Sequence, residues 1–417
     1  MNSTRRWVRA VARGAACIIS CFAAAQCASA QQKPKVRTIT AFVRLDPARC
    51  EQQLSLTLAF LQNAKGAYER AGYEVESLRV VTQPFPRFTQ DMTPEAAMTF
   101  FTRLDALAAK DDLEISVGPA MLLDSDSPFQ AEKLAQVLSK TTHLSGSIVI
   151  AGPDGVHWRA IHAAAGIIKY LEDNTPHGEG NFRFAALAMV PEGVPFFPAA
   201  YHDGFGRQFA VGLESANVIA EVLAKQQPPD EMRRALVAQL TMSLNTVDGL
   251  GNILEEQTGW TFQGIDLSPA PSKDSSIGAA IEGAIGSKLG SPGTLSTIAT
   301  ITAALGDIML KKTGFSGVML PVLEDPVLAK RWGEGALSLD DILSYSAVCG
   351  TGLDAVPLPS DVTEQQIERI LGDVASLSVK WSKPLTARLL PVAGKHAGDR
   401  TDFDDPRLVN TTLQPLP

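Results

Sequence analysis

Cysteine is the first shortage. Five occur in 417 residues, and Cys17, Cys21 and Cys27 all lie within the first thirty positions. The rest of the chain has only Cys50 and Cys349, far apart in sequence. They can pair, stay free or serve chemistry, but they form no disulfide framework, so a hydrophobic core must hold the fold. Histidine is also sparse: the six residues show no zinc-like spacing, and His157 and His162, five apart, do not share a helix face. No glycine-rich turn is followed by Gly-Lys-Ser/Thr, which removes a Walker-type nucleotide loop. Basic charge is short: 37 Lys and Arg against 45 Asp and Glu leave −8, with a pI near 5.4. That sign gives no reason to expect nucleic acid as a partner. No apolar run approaches the ~20 residues that cross a bilayer, so no stable membrane insertion is expected.

What the chain does have is core-forming material. Hydrophobic residues make up 45%, charged residues 20%, and the mean hydropathy is +0.04, values of a globular protein with a large interior. Residues 1–30 stand apart. Arg5, Arg6, Arg9 and Arg13 occur without an acid, residues 14–25 are apolar, and Ala28-Ser29-Ala30 ends the run with small residues. This is the pattern of a cleavable export signal, with cleavage expected after Ala30 and a periplasmic or secreted mature chain. A basic amphipathic targeting helix is the alternative. Losing the four arginines takes the net charge from −8 to −12. Thr4-Arg5-Arg6-Trp7-Val8 loosely fits a twin-arginine signal, and Ile18-Ile19-Ser20-Cys21 passes as a lipoprotein box behind a very short apolar run.

From Val36 onward, β-rich runs alternate with helical periodicity. Strands are expected at 36–43, 74–82, 113–117, 147–150, 182–190, 262–267, 316–322 and 385–392. Between them Leu54, Leu58, Leu61 and Tyr68 mark a helix ending at Gly72, and further helices are expected at 94–110 and 131–140. Asp361 and Glu364 resemble a capping box before the helical run Ile367, Ile370, Leu371, Val374 and Leu377. The order is that of βαβ units, hence an α/β fold with a largely parallel sheet. The Gly/Ser/Pro-rich stretch 268–294 contains a helical run at 277–285, so it reads as a structured loop, not a linker. Residues 34–417 are expected to form one large α/β domain.

Candidate chemistry lies where strands end, as α/β folds place it. Asp266, closing a strand before Ser268-Pro269-Ala270-Pro271, can ligate a cation, hold a hydroxyl, or cap loop amides. Glu324 and Asp325 follow another strand and suit metal or acid/base duty, or the capping of the next helix. Cys349, followed by Gly350-Thr351-Gly352-Leu353-Asp354, lies in a loop the backbone can thread tightly, so its thiol is either presented to a cavity or packed as a small apolar group. Lys383, Arg388 and Lys395, with Gly394 and Asp399 in the turn after the strand, can grip an anion, Arg388 in a bidentate manner; the alternative is a solvated strand rim. Asn181-Phe182 and Phe196-Phe197-Pro198-Ala199-Ala200-Tyr201 read as lining loops.

Taken together, Cys349 to Asp354, Arg388 to Asp399, Asp266-Leu267-Ser268-x-Ala270-Pro271 and Pro321-Val322-x-Glu324-Asp325 resemble domain of unknown function 711. That uncharacterised family is described as similar to the pyruvate formate-lyase fold. The resemblance is dense over 264–403 and thinner from Val36. It implies a ten-stranded, barrel-like α/β fold made of two parallel halves, with a cysteine-bearing loop inside. Cys349, Gly352, Leu353 and Asp354 match the family's Cys-x-x-Gly-Leu-Asp loop, and Arg388, Pro391, Gly394, Lys395, Gly398 and Asp399 match its C-terminal run. Pro359-Ser360-Asp361 departs from its usual Pro-Gly-Asp, and no glycyl-radical segment is found near the C-terminus, so radical chemistry is not expected.

The functional expectation is a small-molecule enzyme with its site at the barrel mouth. Cys349, Asp354 and Asp266 would be catalytic. Arg388, Lys395, Gly394, Asp399, Asn181 and Tyr201 would bind a small, anionic ligand, and Glu324 and Asp325 would hold any metal. The competing reading is a non-catalytic periplasmic ligand-binding protein on the same fold, with Cys349 used only for packing; a scaffold role is the third. Convergence of Cys349, Asp354 and Arg388 on one cavity separates the first two from the last.

Overall fold

Alternation of apolar and polar residues along short strands, with helices between them, builds a layered α/β structure. The computed structural model describes residues 33–416; the export signal, its cleavage point and Cys17, Cys21 and Cys27 lie outside the described residues.

Strand β1 (Lys35–Phe42) leads to helix α1 (Cys50–Arg70) and β2 (Val75–Val81). Leu54, Leu61, Ala64 and Tyr68 form the buried stripe of α1, and Gly72 takes a positive φ of 82° just past its end. Then come α2 (Pro86–Thr89), α3 (Pro94–Lys110), β3 (Leu113–Pro119), α4 (Phe129–Lys140), β4 (Leu144–Gly152), the two-residue β5 (Gly155–Val156), α5 (Trp158–Asn174) and β6 (Phe184–Ala188). Next are β7 (Gln208–Glu214), α6 (Ala216–Leu223), α7 (Pro229–Thr258), β8 (Thr261–Asp266), α8 (Ile277–Ile285) and α9 (Thr294–Asp307). The chain finishes with α10 (Pro326–Gly333), α11 (Leu339–Tyr345), β9 (Gly352–Pro359), α12 (Glu364–Trp381) and β10 (Leu385–Val392).

The strands form one ten-stranded sheet in the order β8-β7-β1-β2-β3-β4-β6-β10-β9, with β5 flanking β4. Neighbours are parallel except at β1/β7, β6/β10 and β4/β5. A largely parallel sheet is therefore found, but the path is open, ending at β8 and β9. The strand expected at 316–322 is not continuous: residues 311–323 make only single parallel bridges, Lys312 to Ile265 on β8 and Pro321 to Asp354 on β9. Positive φ at Gly314 (69°) and Ser316 (45°) breaks the extended run. From Pro34 onward the residues form one unit.

Both faces of the sheet are covered, as parallel sheets require. On one face Ile39, Ala41, Val80, Ile115, Ile148 and Leu389 pack with α1, α3, α4, α5 and α12 in the main core. The other face mixes a small apolar cluster, including Val149, Leu187, Val194 and Phe196, with buried Thr38, Thr40, Ser116, Ser145, Asp354 and Arg388. Two bulges add charge to this polar face. At β1/β7, Arg37 is the extra residue between Val36 and Thr38. At β9/β10, Asp354 and Ala355 stand opposite the single Arg388, and Ala355 takes φ 46°, rare for a residue with a Cβ. The cap of α12 also differs from expectation: Thr363 and Gln366 form the reciprocal capping box, two residues after the Asp361–Glu364 pair.

Candidate functional site

A cavity of about 60 Å³ lies against the polar face, lined by Arg37, Thr38 and Arg79 from β1 and β2, Asp266 from β8, Asp354 and Arg388 from the β9/β10 bulge, and Phe196, Phe197, Ala270, Met319 and Glu324 from loops. That is above the ~10–15 Å³ that admits a single water.

Its charges form a chain. Arg388 donates Nε to Asp354 Oδ1 at 2.7 Å and Nη2 to Glu324 Oε1. Arg37 donates Nη2 to the other Glu324 oxygen at 3.1 Å and Nη1 to Glu214 Oε2 at 3.3 Å, with Glu76 Oε2 at 3.8 Å. Beside it, Arg79 holds Glu114 at 2.7 Å, Arg407 reaches the other Glu114 oxygen at 2.6 Å, and Asp405 accepts two bonds from the Arg407 guanidinium. Aromatic rings separate the guanidiniums: Phe182 lies 4.7 Å from both Arg388 and Arg407, and Phe197 lies 5.1 Å from Arg79.

These surroundings set the protonation. Burial alone would raise Glu324, but Arg388 and Arg37 outweigh it and hold its carboxyl below the ordinary range. Asp354 goes the other way: burial, with Glu324 as a nearby like charge, raises it despite Arg388. Asp354 Oδ2 is buried and has no hydrogen-bond partner among the described residues, whereas Oδ1 takes Arg388. Burial opposes the charge on Arg388, yet Asp354 and Glu324 more than offset it and push its pKa upward. At the rim Glu76 is pushed up to about 7 by burial and by Glu214.

Asp354, Asp266, Glu324 and Arg388 thus meet, while the other candidates lie elsewhere. Asp266 lines the cavity but organises a loop: it accepts backbone N–H bonds from Ser268 (3.0 Å), Ser316 (3.0 Å) and Phe315 (3.2 Å), which is the amide-capping alternative. Asp325 turns away from Glu324 to cap α10 through Val327 and Leu328 N–H, and also accepts Ser276 Oγ and Gly278 N–H. Among the described residues no group of three or more His, Cys, Asp or Glu is placed to hold a metal ion. Cys349 is fully buried in the main core and is not among the residues that line the cavity; its carbonyl takes a bond from Lys383 Nζ. Lys395 pairs with Asp402 at 3.0 Å, Gly394 has φ 70°, and Asp399 accepts the His396 N–H, all in the turn past β10 and outside the cavity lining. Asn181 donates to the Ile168 carbonyl and Tyr201 to the Val190 carbonyl, and neither lines the cavity.

Sequence reasoning missed Arg37, Arg79, Glu76, Glu114, Glu214 and Arg407. A signal existed for two: Arg37 and Arg79 each sit inside a β-rich run, where an unpaired charge is costly.

The family described as uncharacterised ACR (DUF711) matches residues 29–404. A UPF0210 protein of Pyrobaculum arsenaticum is 31% identical over 82% of this chain and 78% of its own length. One of Pyrobaculum aerophilum is 30% identical over 88% and 87%, and one of Listeria monocytogenes 24% identical over 80% and 77%. A match spanning the sheet and both ends of the charged chain, from Arg37 to Arg388, places this protein in the DUF711 (UPF0210) family.

Proposed function

We propose that the protein binds a small polar molecule in the cavity between Asp354, Arg388 and Glu324, and that it does so without cysteine chemistry. The observation that carries this reading is Asp354 Oδ2, a buried acceptor with no partner among the described residues, on a residue that lines a cavity. Native proteins satisfy such atoms, and a ligand donor is the natural complement. Burial of Cys349 in the main core favours binding over a thiol-based enzyme, since a nucleophile must be reached by its substrate. The barrel-like, pyruvate formate-lyase-type closure belongs to this proposal: residues 311–323 run parallel to both open edges, where a closing strand would lie. So does export, supported by the basic, apolar and small-residue order of positions 1–30.

A thermal-shift screen of the mature protein against a metabolite library tests the reading, because a ligand that binds only the folded form raises its apparent stability. Ligands that shift the native protein and lose their effect in Asp354→Asn are expected. Hits that shift both proteins equally would place binding elsewhere and refute the site.

A further inference from the structure

The ligand's charge can be read from what the cavity already contains. The lining itself balances, with the guanidiniums of Arg37, Arg79 and Arg388 against the carboxylates of Asp266, Glu324 and Asp354, while Glu214 and Glu76 reach Arg37 from outside it. The neighbouring chain Arg79–Glu114–Arg407–Asp405 has two of each and is neutral. At the rim Lys35 and Glu74 cancel each other, with Lys35 also 3.5 Å from Glu76. Asp266 is met by three backbone N–H groups.

Every arginine that lines the cavity is therefore already engaged: Arg388 by two carboxylates, Arg37 by three and Arg79 by one. An anion would have to displace one of these buried pairs, and breaking a buried pair is expensive. The free valence is on the other side, at Asp354 Oδ2, which can only accept while Asp354 is ionised. The raised pKa of Asp354 agrees, because an uncompensated buried carboxylate takes up a proton when no other cation is near.

We propose that the cavity takes a small organic cation with N–H donors, a protonated amine or amidine of only a few non-hydrogen atoms, bound through Asp354 Oδ2. This rests on the small-molecule reading above and replaces the expected anion by a cation. Phe196 and Phe197, also in the lining, already stand against the guanidiniums of Arg388 and Arg79.

The test is isothermal titration of the full mature chain with methylammonium and acetamidinium chloride. Sodium formate, sodium acetate and tetramethylammonium chloride serve as comparators at matched ionic strength. One saturable site for the two N–H cations is expected, with none for the three comparators. Asp354→Asn should weaken that binding at least about tenfold, the loss of one charge-assisted bond. Ala270→Leu fills the lining without touching a charge and should abolish it, which keeps the test sound if Asp354→Asn fails to fold. Binding of formate or acetate that Ala270→Leu removes would overturn the cation while leaving the site. Tetramethylammonium binding as well as the amines would show general charge attraction, and cation binding unchanged in Ala270→Leu would put it outside the cavity; either overturns the proposal, as does the absence of binding by both cations.

Discussion

Replacing Arg388 by Met keeps most of the side chain's bulk and removes its charge. Two carboxylates lose their guanidinium, Asp354 entirely and Glu324 in part, since Arg37 still reaches Glu324 at 3.1 Å. Both lie in the interior, at 1% and 7% exposure, where stranding one member of an ion pair costs about 3–5 kcal/mol. Loss of the contact with Phe182 at 4.7 Å adds roughly 0.5–1 kcal/mol. We therefore expect a loss of about 4–5 kcal/mol in urea unfolding at pH 7.5. The deficit should shrink with acid. Asp354 is already raised above its ordinary 3.8 by burial and rises further without Arg388, while Glu324 loses the larger of the two cations that hold it down. A folded-state pKa above the unfolded value means that the folded form binds protons first, so its stability improves as pH falls through that raised value. Measured at pH 5.5, the variant should lie closer to the native protein than at pH 7.5. Adding Asp354→Leu should recover at least about 1.5 kcal/mol relative to the sum of the single losses. A deficit below about 1 kcal/mol at pH 7.5, or one that grows with acid, would refute the account of this chain.

Glu76, raised from 4.5 to about 7, contributes stability that is complete below 4.5 and is lost as pH rises through 7; Glu76→Gln should flatten this fall in urea midpoint between pH 5 and 8, and an unchanged slope would assign it to another group. Iodoacetamide should modify neither Cys349 nor Cys50 before unfolding, because both are buried; rapid labelling of native Cys349, followed by mass spectrometry, would return the thiol to the chemistry. Gly314→Ala should destabilise by more than the ~1–2 kcal/mol of a left-handed residue, since its Cβ would meet Asp266 at φ 69°; a chemical-denaturation loss under 1 kcal/mol would mean that the 313–317 loop moves freely. Intact-mass measurement of the exported chain should give Gln31 as its first residue, and a retained Met1 would remove the export reading.

Periodicity carried much of the fold. The helices at 94–110 and 277–285 and the strand at 385–392 lie where their spacing puts them, because each is long or clearly bounded. β7 and β9 escaped for different reasons: Gln208–Glu214 is short and follows a turn signal, Asp203-Gly204-Phe205-Gly206, that the expected strands did not use, and Gly352–Pro359 begins and ends in residues that read as loop. For the site, Asp354, Arg388, Asp266 and Glu324 were legible as polar residues at strand ends. Arg37 left a charge in a β-rich run, but a strand's two-residue alternation gives no warning of the bulge that turns it toward them, and Glu214 was hidden with the rest of β7. Cys349 misled for a related reason. Flanking glycines allow close backbone approach from either side, and here it is Gly317 that comes close to Gly350, so the loop is packed tight with the thiol in the core.

The clamp of Arg388 and Arg407 around Phe182 bears on how the protein is made. Arg79 is already made when Glu114 emerges, but the second guanidinium, on Arg407, follows 293 residues later. Asp354 and Glu324 likewise wait for Arg388. Until those residues arrive, the sheet's polar face holds carboxylates that cannot be buried without their counterions. Final packing of this face thus waits for positions 388 and 407, and a chain released between β10 and Arg407 has all its strands but leaves Glu114 without its second guanidinium.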